Sequence, residues 1–147
     1  MLRCGIVGVA DDKLTPDTRE QAKKIIVKIL TARPDCVLVS GGCHLGGIDI
    51  IAESIADDIG VPKEIFKPSA LSWGAPGGYK ERNLKIAQTS DIVHVIVVRE
   101  YPPTYKEQQF PLCYHCKDQR PPHVKSGACW TAIQAQRIGK PAEWHII

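Results

Sequence analysis

The feature that most constrains the fold is a regular alternation of short Val- and Ile-rich runs with helix-length segments along the 147 residues. Each apolar run has the length of one buried strand, and the segments between the runs carry apolar residues at helical spacing. Parallel strands need crossover connections of this length, so the pattern is typical of a parallel sheet with helices on both faces. We therefore predict an α/β fold, a Rossmann-like parallel five-stranded sheet in the order 3-2-1-4-5.

Helix and strand limits follow from capping residues and from the ends of the apolar runs. Thr15 is a suitable N-cap with Pro16 at the first helical position, and Gly60 ends the second helix. The predicted strands are Leu2–Val9, Cys36–Ser40, Lys63–Lys67, Asp91–Val98 and Glu143–Ile147. The predicted helices are Thr15–Ala32, Ile48–Ile59, Tyr79–Thr89 and Thr131–Ile138.

Length and charge narrow the function classes. The chain has the length of a single domain, 1–147, and its formal net charge of +3 is too small for a polybasic nucleic-acid binder. No apolar run approaches the roughly 20 residues of a membrane helix, and the apolar stretch Cys4–Val9 is too short for a signal sequence. We expect a cytoplasmic protein without a membrane partner. Its six cysteines are then thiols or metal ligands rather than disulfides.

A glycine-rich loop, Ser40–Asp49, follows the second strand and opens the second helix. Glycines let the backbone approach an anion closely, and the free N–H groups of a helix start point at it. The spacing matches neither the dinucleotide fingerprint GxGxxG nor the P-loop, which disfavours a dinucleotide-dependent dehydrogenase or a P-loop NTPase. A tight turn that needs positive φ is the alternative.

A Cys-His cluster lies in a Pro-rich segment that breaks the alternation. We interpret residues 101–129 as an inserted loop, because a long segment without periodic apolar residues is uncommon in a compact domain. Cys113, Cys116, His123 and Cys129 have the spacing of a zinc site with a filled, structural shell, and His115 is a competing ligand. A redox-active CxxC pair and unrelated thiols are the alternatives.

Several of these motifs together resemble the SLOG superfamily, which includes the DprA (Smf), YspA-type and LOG ("lysine decarboxylase-like") proteins. The loop Ser40–Asp49 resembles the family's SGG-x-x-G-x-D loop, and Tyr79–Asn83 resembles its R-N pair at a helix start. Ser126–Thr131 and the following Gly139-Lys140-Pro141 resemble its final loop, helix and strand. The chain departs from the family after the first strand, where members often carry Arg and this chain has Ala10-Asp11-Asp12.

The resemblance and the residues together predict a site for a phosphorylated, nucleotide-derived ligand. Arg82 offers a planar fork of donors suited to phosphate, and Asn83 is able to read a base or ribose edge. Trp130 is able to stack on a base or to belong to the core. The predicted ligand-binding residues are Ser40, Gly41, Gly42, Gly46, Gly47, Asp49, Arg82, Asn83, Ser126, Gly127, Trp130 and Thr131.

Three functions are compatible with this site. The first is ligand binding for sensing or recruitment. The second is hydrolysis of an N-glycosidic bond in a nucleoside phosphate, as in the LOG branch, with Asp49 and Glu81 as the carboxylates to test. It is disfavoured because 126–134 lacks the glutamate of those enzymes. The third is DprA-like nucleic-acid binding, although the basic residues of the insertion are few and alternate with acidic ones. The resemblance also implies a homo-oligomer.

Overall fold

The structure, a computed structural model, describes residues 1–147 and contains a five-stranded parallel sheet in the order β3-β2-β1-β4-β5. The predicted fold class and strand order are confirmed. The elements are β1 Leu2–Gly8, α1 Pro16–Thr31, β2 Cys36–Ser40, α2 Ile48–Ile59, β3 Lys63–Ile65, α3 Tyr79–Thr89, β4 Ile92–Val97, α4 Gly127–Arg137 and β5 Ala142–Ile146. A short 3-10 helix, Asp11–Lys13, follows β1.

The helix ends have the local causes that the sequence indicated. The Thr15 side chain accepts a hydrogen bond from the Thr18 N–H, and the Thr18 hydroxyl accepts one from the Thr15 N–H, which makes a reciprocal cap at the start of α1. Pro16 occupies the first helical position, where it lacks only an N–H that would have no helical partner. Gly60 ends α2 in the left-handed conformation at φ 76°.

The last helix differs from its prediction, because α4 begins at Gly127 rather than at Thr131. The Ser126 side chain accepts a hydrogen bond from the Ala128 N–H at 3.2 Å and caps the extra turn. Cys129 in that turn is buried together with Ala132 and Ala135 at helical spacing, so the buried face of α4 begins before Thr131. The extra turn places Cys129 on a helix.

The helices form two layers with the sheet between them. Helices α1 and α2 pack together over β1 and β2, whereas α3 and α4 pack together on the other face, with α4 over β1, β4 and β5. A single apolar core fills both layers. The β4–β5 side of the sheet therefore has a covering helix only on the α4 face. No helix is both long and apolar enough to cross a membrane.

The segment between β4 and α4 leaves the sheet and returns to it. It contains neither strand nor α-helix before Gly127, and the Val124 N–H donates to the Val98 carbonyl at 2.9 Å as the segment returns. The Arg99 N–H donates to the Ile147 carbonyl, which ties the start of the segment to the end of β5. These contacts hold the segment against the carboxyl end of β4.

Gly47 occupies a position where the backbones of two elements approach closely. It precedes α2 with φ 83° and ψ −145°, a conformation that residues with a Cβ rarely adopt. A Cβ there would overlap the Val9 carbonyl oxygen and the Ala10 backbone. The start of α2 and the end of β1 can therefore come together only around a glycine.

We expect Gly47→Ala to lower the free energy of unfolding by about 1–3 kcal/mol, because it forces a strained φ and a backbone overlap. Urea denaturation followed by circular dichroism measures the change. Gly74→Ala is the matched control, since Gly74 is not in the positive-φ region and a Cβ there meets nothing within 4 Å. Equal unfolding midpoints for the two variants would contradict the interpretation.

Candidate functional site

A cavity of about 340 Å³ opens at the carboxyl edge of the sheet. Residues at the end of β1 and just after it line the cavity, which lies where the strand order reverses between β1 and β4. Open α/β sheets bind their ligands at such switch points. Six of the predicted ligand-binding residues line this cavity, namely Asp49, Arg82, Asn83, Ser126, Gly127 and Thr131.

The glycine-rich loop Ser40–Asp49 contacts the cavity mainly through the residues that it holds in place. Its residues Cys43 and Leu45 reach the cavity, whereas the predicted Ser40, Gly41, Gly42, Gly46 and Gly47 do not line it. The Ser40 hydroxyl donates to Glu53 at 2.6 Å, and the Gly41 carbonyl accepts from Arg82 Nη1 at 2.6 Å. Gly42, Gly46 and Gly47 have positive φ values, so these glycines meet a turn requirement. The loop holds Arg82 in place through the hydrogen bond to the Gly41 carbonyl.

Asp49 is the single carboxylate that lines the cavity. Its side chain is buried, and Oδ2 accepts a hydrogen bond from the Cys43 N–H at 3.2 Å. Burial raises the pKa of Asp49 to about 6, opposed by the nearby Arg82 guanidinium and by the Cys43 N–H. Near neutral pH this carboxyl group can exchange a proton.

Arg82 and Asn83 are held in a fixed arrangement at the start of α3. Arg82 Nε donates to Asn83 Oδ1 at 2.7 Å, and the guanidinium lies 5.5 Å from the centroid of the Tyr79 ring. Nη1 donates to the Gly41 carbonyl, so the guanidinium group has three contacts that hold it in place. An arginine held in this way loses little further side-chain entropy when it binds an anion.

Two lysines that sequence reasoning missed also line the cavity, Lys13 and Lys125. Lys13 ends the 3-10 helix that follows β1. Burial lowers the pKa of Lys13, and the proximity of Lys125 lowers it further, against Asp12, which raises it. With Arg82, three cations face a single carboxylate, which favours an anionic ligand.

The starts of the two helices at the cavity are not equivalent. At α2 the Ile48 N–H already donates to the Val9 carbonyl at 3.0 Å, and Asp49 lies in the first turn. At α4 the Gly127 N–H has no acceptor in the protein, and the first turn contains no acidic residue. The positive end of the α4 dipole therefore faces the cavity without a counter-charge.

Trp130 does not line the cavity, although sequence reasoning placed it among the ligand residues. Its ring packs edge-on against Trp73, with the two ring centroids 4.8 Å apart. Trp73 lines the cavity and is 45% exposed. Trp73, rather than Trp130, is thus the aromatic surface available to a planar ligand. The Gly-rich stretch around Trp73 gave no periodic signal that would have placed its ring.

The four predicted metal ligands come together in the structure. One ligand atom from each of Cys113, Cys116, His123 and Cys129 lies within 4.8 Å of the other three, and all four residues are buried. His115 is not in this group, and its ring packs against Tyr114. Three thiols and one imidazole in this arrangement can hold a metal ion with a complete tetrahedral shell.

Outer contacts orient this metal-ligand cluster. His123 Nδ1 lies 2.8 Å from the Pro121 carbonyl, so Nδ1 carries the proton and Nε2 faces Cys129 Sγ at 3.5 Å. The Trp144 indole N–H donates to Cys129 Sγ at 3.4 Å. The hydrogen bond with Cys129 lowers the pKa of Cys113 to about 3, and backbone N–H groups assist. A thiolate of this kind is the form that binds metal.

The cluster and the cavity share a helix. Cys129 belongs to the first turn of α4, and Ser126 and Gly127 of the same turn line the cavity. The Lys125 N–H donates to the Phe110 carbonyl at 3.0 Å, which ties the cavity lysine to the inserted segment. A metal ion at the cluster would therefore hold the α4 start and Lys125 in place.

Comparison with known proteins identifies the fold. No family model matches the sequence, and no curated protein matches it. The X-ray structure of DNA processing protein A (DprA) from Streptococcus pneumoniae superimposes with a TM-score of 0.57 over 95% of this chain, at 14% sequence identity. The chain has a DprA-like fold. It covers 49% of the DprA chain, so it spans about half the length of that structure.

We expect Cys113→Ser to abolish stable metal binding and to lower the melting temperature, because three remaining ligands cannot close the shell. Metal analysis after dialysis against a weak chelator should find about one ion per chain in the parent protein and almost none in the variant. Cys43→Ser is the matched control, since Cys43 lies outside the cluster. Full metal content in Cys113→Ser would contradict the assignment.

Proposed function

We propose that the protein binds a phosphorylated, nucleotide-like small molecule in the carboxyl-edge cavity, in a sensing or recruitment role. The observation that carries this proposal is the convergence of Lys13, Arg82 and Lys125 with the unpaired Gly127 N–H on one cavity. Three cations and a helix N-terminus around a single carboxylate form an environment that stabilises a phosphate group.

The remaining walls suit the nucleoside part of such a ligand. Trp73 and Tyr79 offer aromatic faces, and the Asn83 side-chain NH₂ offers donors for a base or ribose edge, while its Oδ1 accepts from Arg82. A volume of about 340 Å³ is at the lower end of the range typical for small-molecule sites. A mononucleotide derivative therefore fits the cavity better than a dinucleotide.

We propose that the ion of the Cys-His cluster is zinc and that its role is structural. Three thiolates and one imidazole form the donor set that zinc prefers, and four protein ligands leave no coordination position for a substrate. The four side chains are buried, which supports a site that stabilises the fold rather than one that exchanges its metal.

N-glycosidic hydrolysis is a weaker candidate on the same cavity. Glycosidases normally use two carboxyl groups, and Asp49 is the only one that lines this cavity. The second candidate carboxylate, Glu81, accepts a hydrogen bond from the Gly77 N–H and lies outside the cavity. Incubation with nucleoside monophosphates should therefore release no free base, whereas release that is lost in Asp49→Asn would establish hydrolysis.

Nucleic-acid binding is the second candidate function, and the DprA-like fold favours it. The inserted segment exposes Phe110 and Tyr114, and Lys125 Nζ lies 5.7 Å from the Tyr114 ring centroid. Exposed aromatic rings beside cations are the elements of a single-strand binding surface. Salt-dependent retardation of single-stranded DNA that is lost in Tyr114→Ala would establish this function.

We expect Gly127→Asp to abolish nucleotide binding while it leaves the fold intact or slightly more stable. A carboxylate in the first turn compensates the helix dipole by about 0.3–1 kcal/mol, but it repels a phosphate at the same place. Thermal shift across a panel of nucleoside phosphates is the measurement. A ligand at 100 times its dissociation constant should stabilise the parent protein by about 2.7 kcal/mol.

Gly127→Ala is the matched control, since a Cβ at this position meets nothing within 4 Å. It should retain most of the ligand-induced shift, because it adds no charge. An equal shift in Gly127→Asp and the parent protein would contradict the proposed phosphate position.

A further inference from the structure

A second group of metal-ligating side chains lies on the β4–β5 side of the sheet, on the face opposite α4. His94 on β4 pairs in register with Glu143 on β5, and His145 follows two residues later on the same face. Trp144, between them, points to the other face, where it contacts Cys129. The group is therefore separated by the sheet from the Cys-His cluster and is absent from the carboxyl-edge cavity.

The three side chains place their ligating atoms at coordination distances from one another. His94 Nδ1 lies 3.1 Å from His145 Nε2 and 3.7 Å from Glu143 Oε2, and one ligand atom from each residue lies within 4.8 Å of the others. In a tetrahedral zinc shell with bonds of about 2.0–2.1 Å, ligand atoms are about 3.3 Å apart. The three atoms therefore need only small side-chain rotations to share one ion.

The two imidazole rings stack with their centroids 5.3 Å apart, and His94 Nδ1 and His145 Nε2 form a hydrogen bond. In the neutral pair one ring donates to the other, and metal binding would move that proton to the outer ring nitrogen, with no net loss of protons.

We propose that His94, Glu143 and His145 bind a divalent transition-metal ion with three protein ligands. Two imidazoles and one carboxylate suit zinc, cobalt or nickel rather than magnesium or calcium, which prefer shells made of oxygen alone. Three ligands leave at least one coordination position open, in contrast to the four-ligand cluster on the other face.

The three side chains line a second cavity of about 430 Å³ between α1 and the uncovered β4–β5 face, so a further ligand could reach an ion bound there. Isoleucines form its apolar wall, and Lys28 and Arg33 contribute positive charge. Water or a small anion such as a carboxylate is therefore the ligand expected to complete the shell. The proposal does not depend on a nucleotide in the carboxyl-edge cavity.

Equilibrium dialysis of the zinc-loaded protein against additional zinc, followed by metal analysis, tests the site. We expect a second ion in the parent protein and its loss in His145→Gln. Glu143→Gln, which changes an exposed side chain, should lower the affinity for the second ion by about tenfold or more. His44→Gln is the matched control, because His44 is an exposed histidine in the glycine loop.

A spectroscopic measurement separates this site from the cluster. Cobalt added to the zinc-loaded protein should produce the visible bands of a nitrogen- and oxygen-ligated ion without sulfur-to-cobalt charge transfer, and should broaden the ring resonances of His94 and His145. The proposal is overturned if the parent protein binds no second ion, if the second ion persists in His145→Gln and Glu143→Gln, or if His44→Gln removes it equally.

Discussion

The position of Cys129 is the constraint on which the candidate site depends. This residue is both a member of the four-ligand cluster and part of the first turn of α4, so the same turn carries a metal ligand and the cavity residues Ser126 and Gly127. The cluster is buried and is oriented by the Pro121 carbonyl and the Trp144 indole. Closing the metal shell would therefore also fix the helix start that faces the cavity.

Much of the fold could be predicted because its signals are local and agree with one another. The apolar runs and the caps at Thr15 and Gly60 lie within a few residues of the elements that they limit. Parallel strands with helical crossovers then allow few arrangements, which is why the strand order could also be predicted. The predicted range of the last helix began late, at Thr131, although Ser126 and Gly127 were also expected to open that helix, and the structure confirms the earlier start.

The candidate site could be predicted only in part, because some of its residues lie at helix starts and others do not. Arg82, Asn83 and Ser126 lie at helix starts, and capping residues and apolar spacing predict where a helix starts. Lys13 reaches the cavity from a short 3-10 helix and Lys125 from the irregular segment before α4, and nothing in their spacing indicates where their side chains lie. The pairing of His94 with the β5 residues depends on strand register, which the sequence of one strand alone does not determine.

The proposed phosphate position is the start of α4, beside the Gly127 N–H and Lys125. The most direct measurement is a titration of the ¹⁵N-labelled, metal-loaded protein with a nucleoside 5′-monophosphate, followed through the backbone amide resonances. We predict a large, saturable shift of the Gly127 amide, whereas the amide of Gly60, which ends α2 and does not line the cavity, should stay unchanged. Saturable binding that leaves the Gly127 resonance in place would contradict the proposed phosphate position.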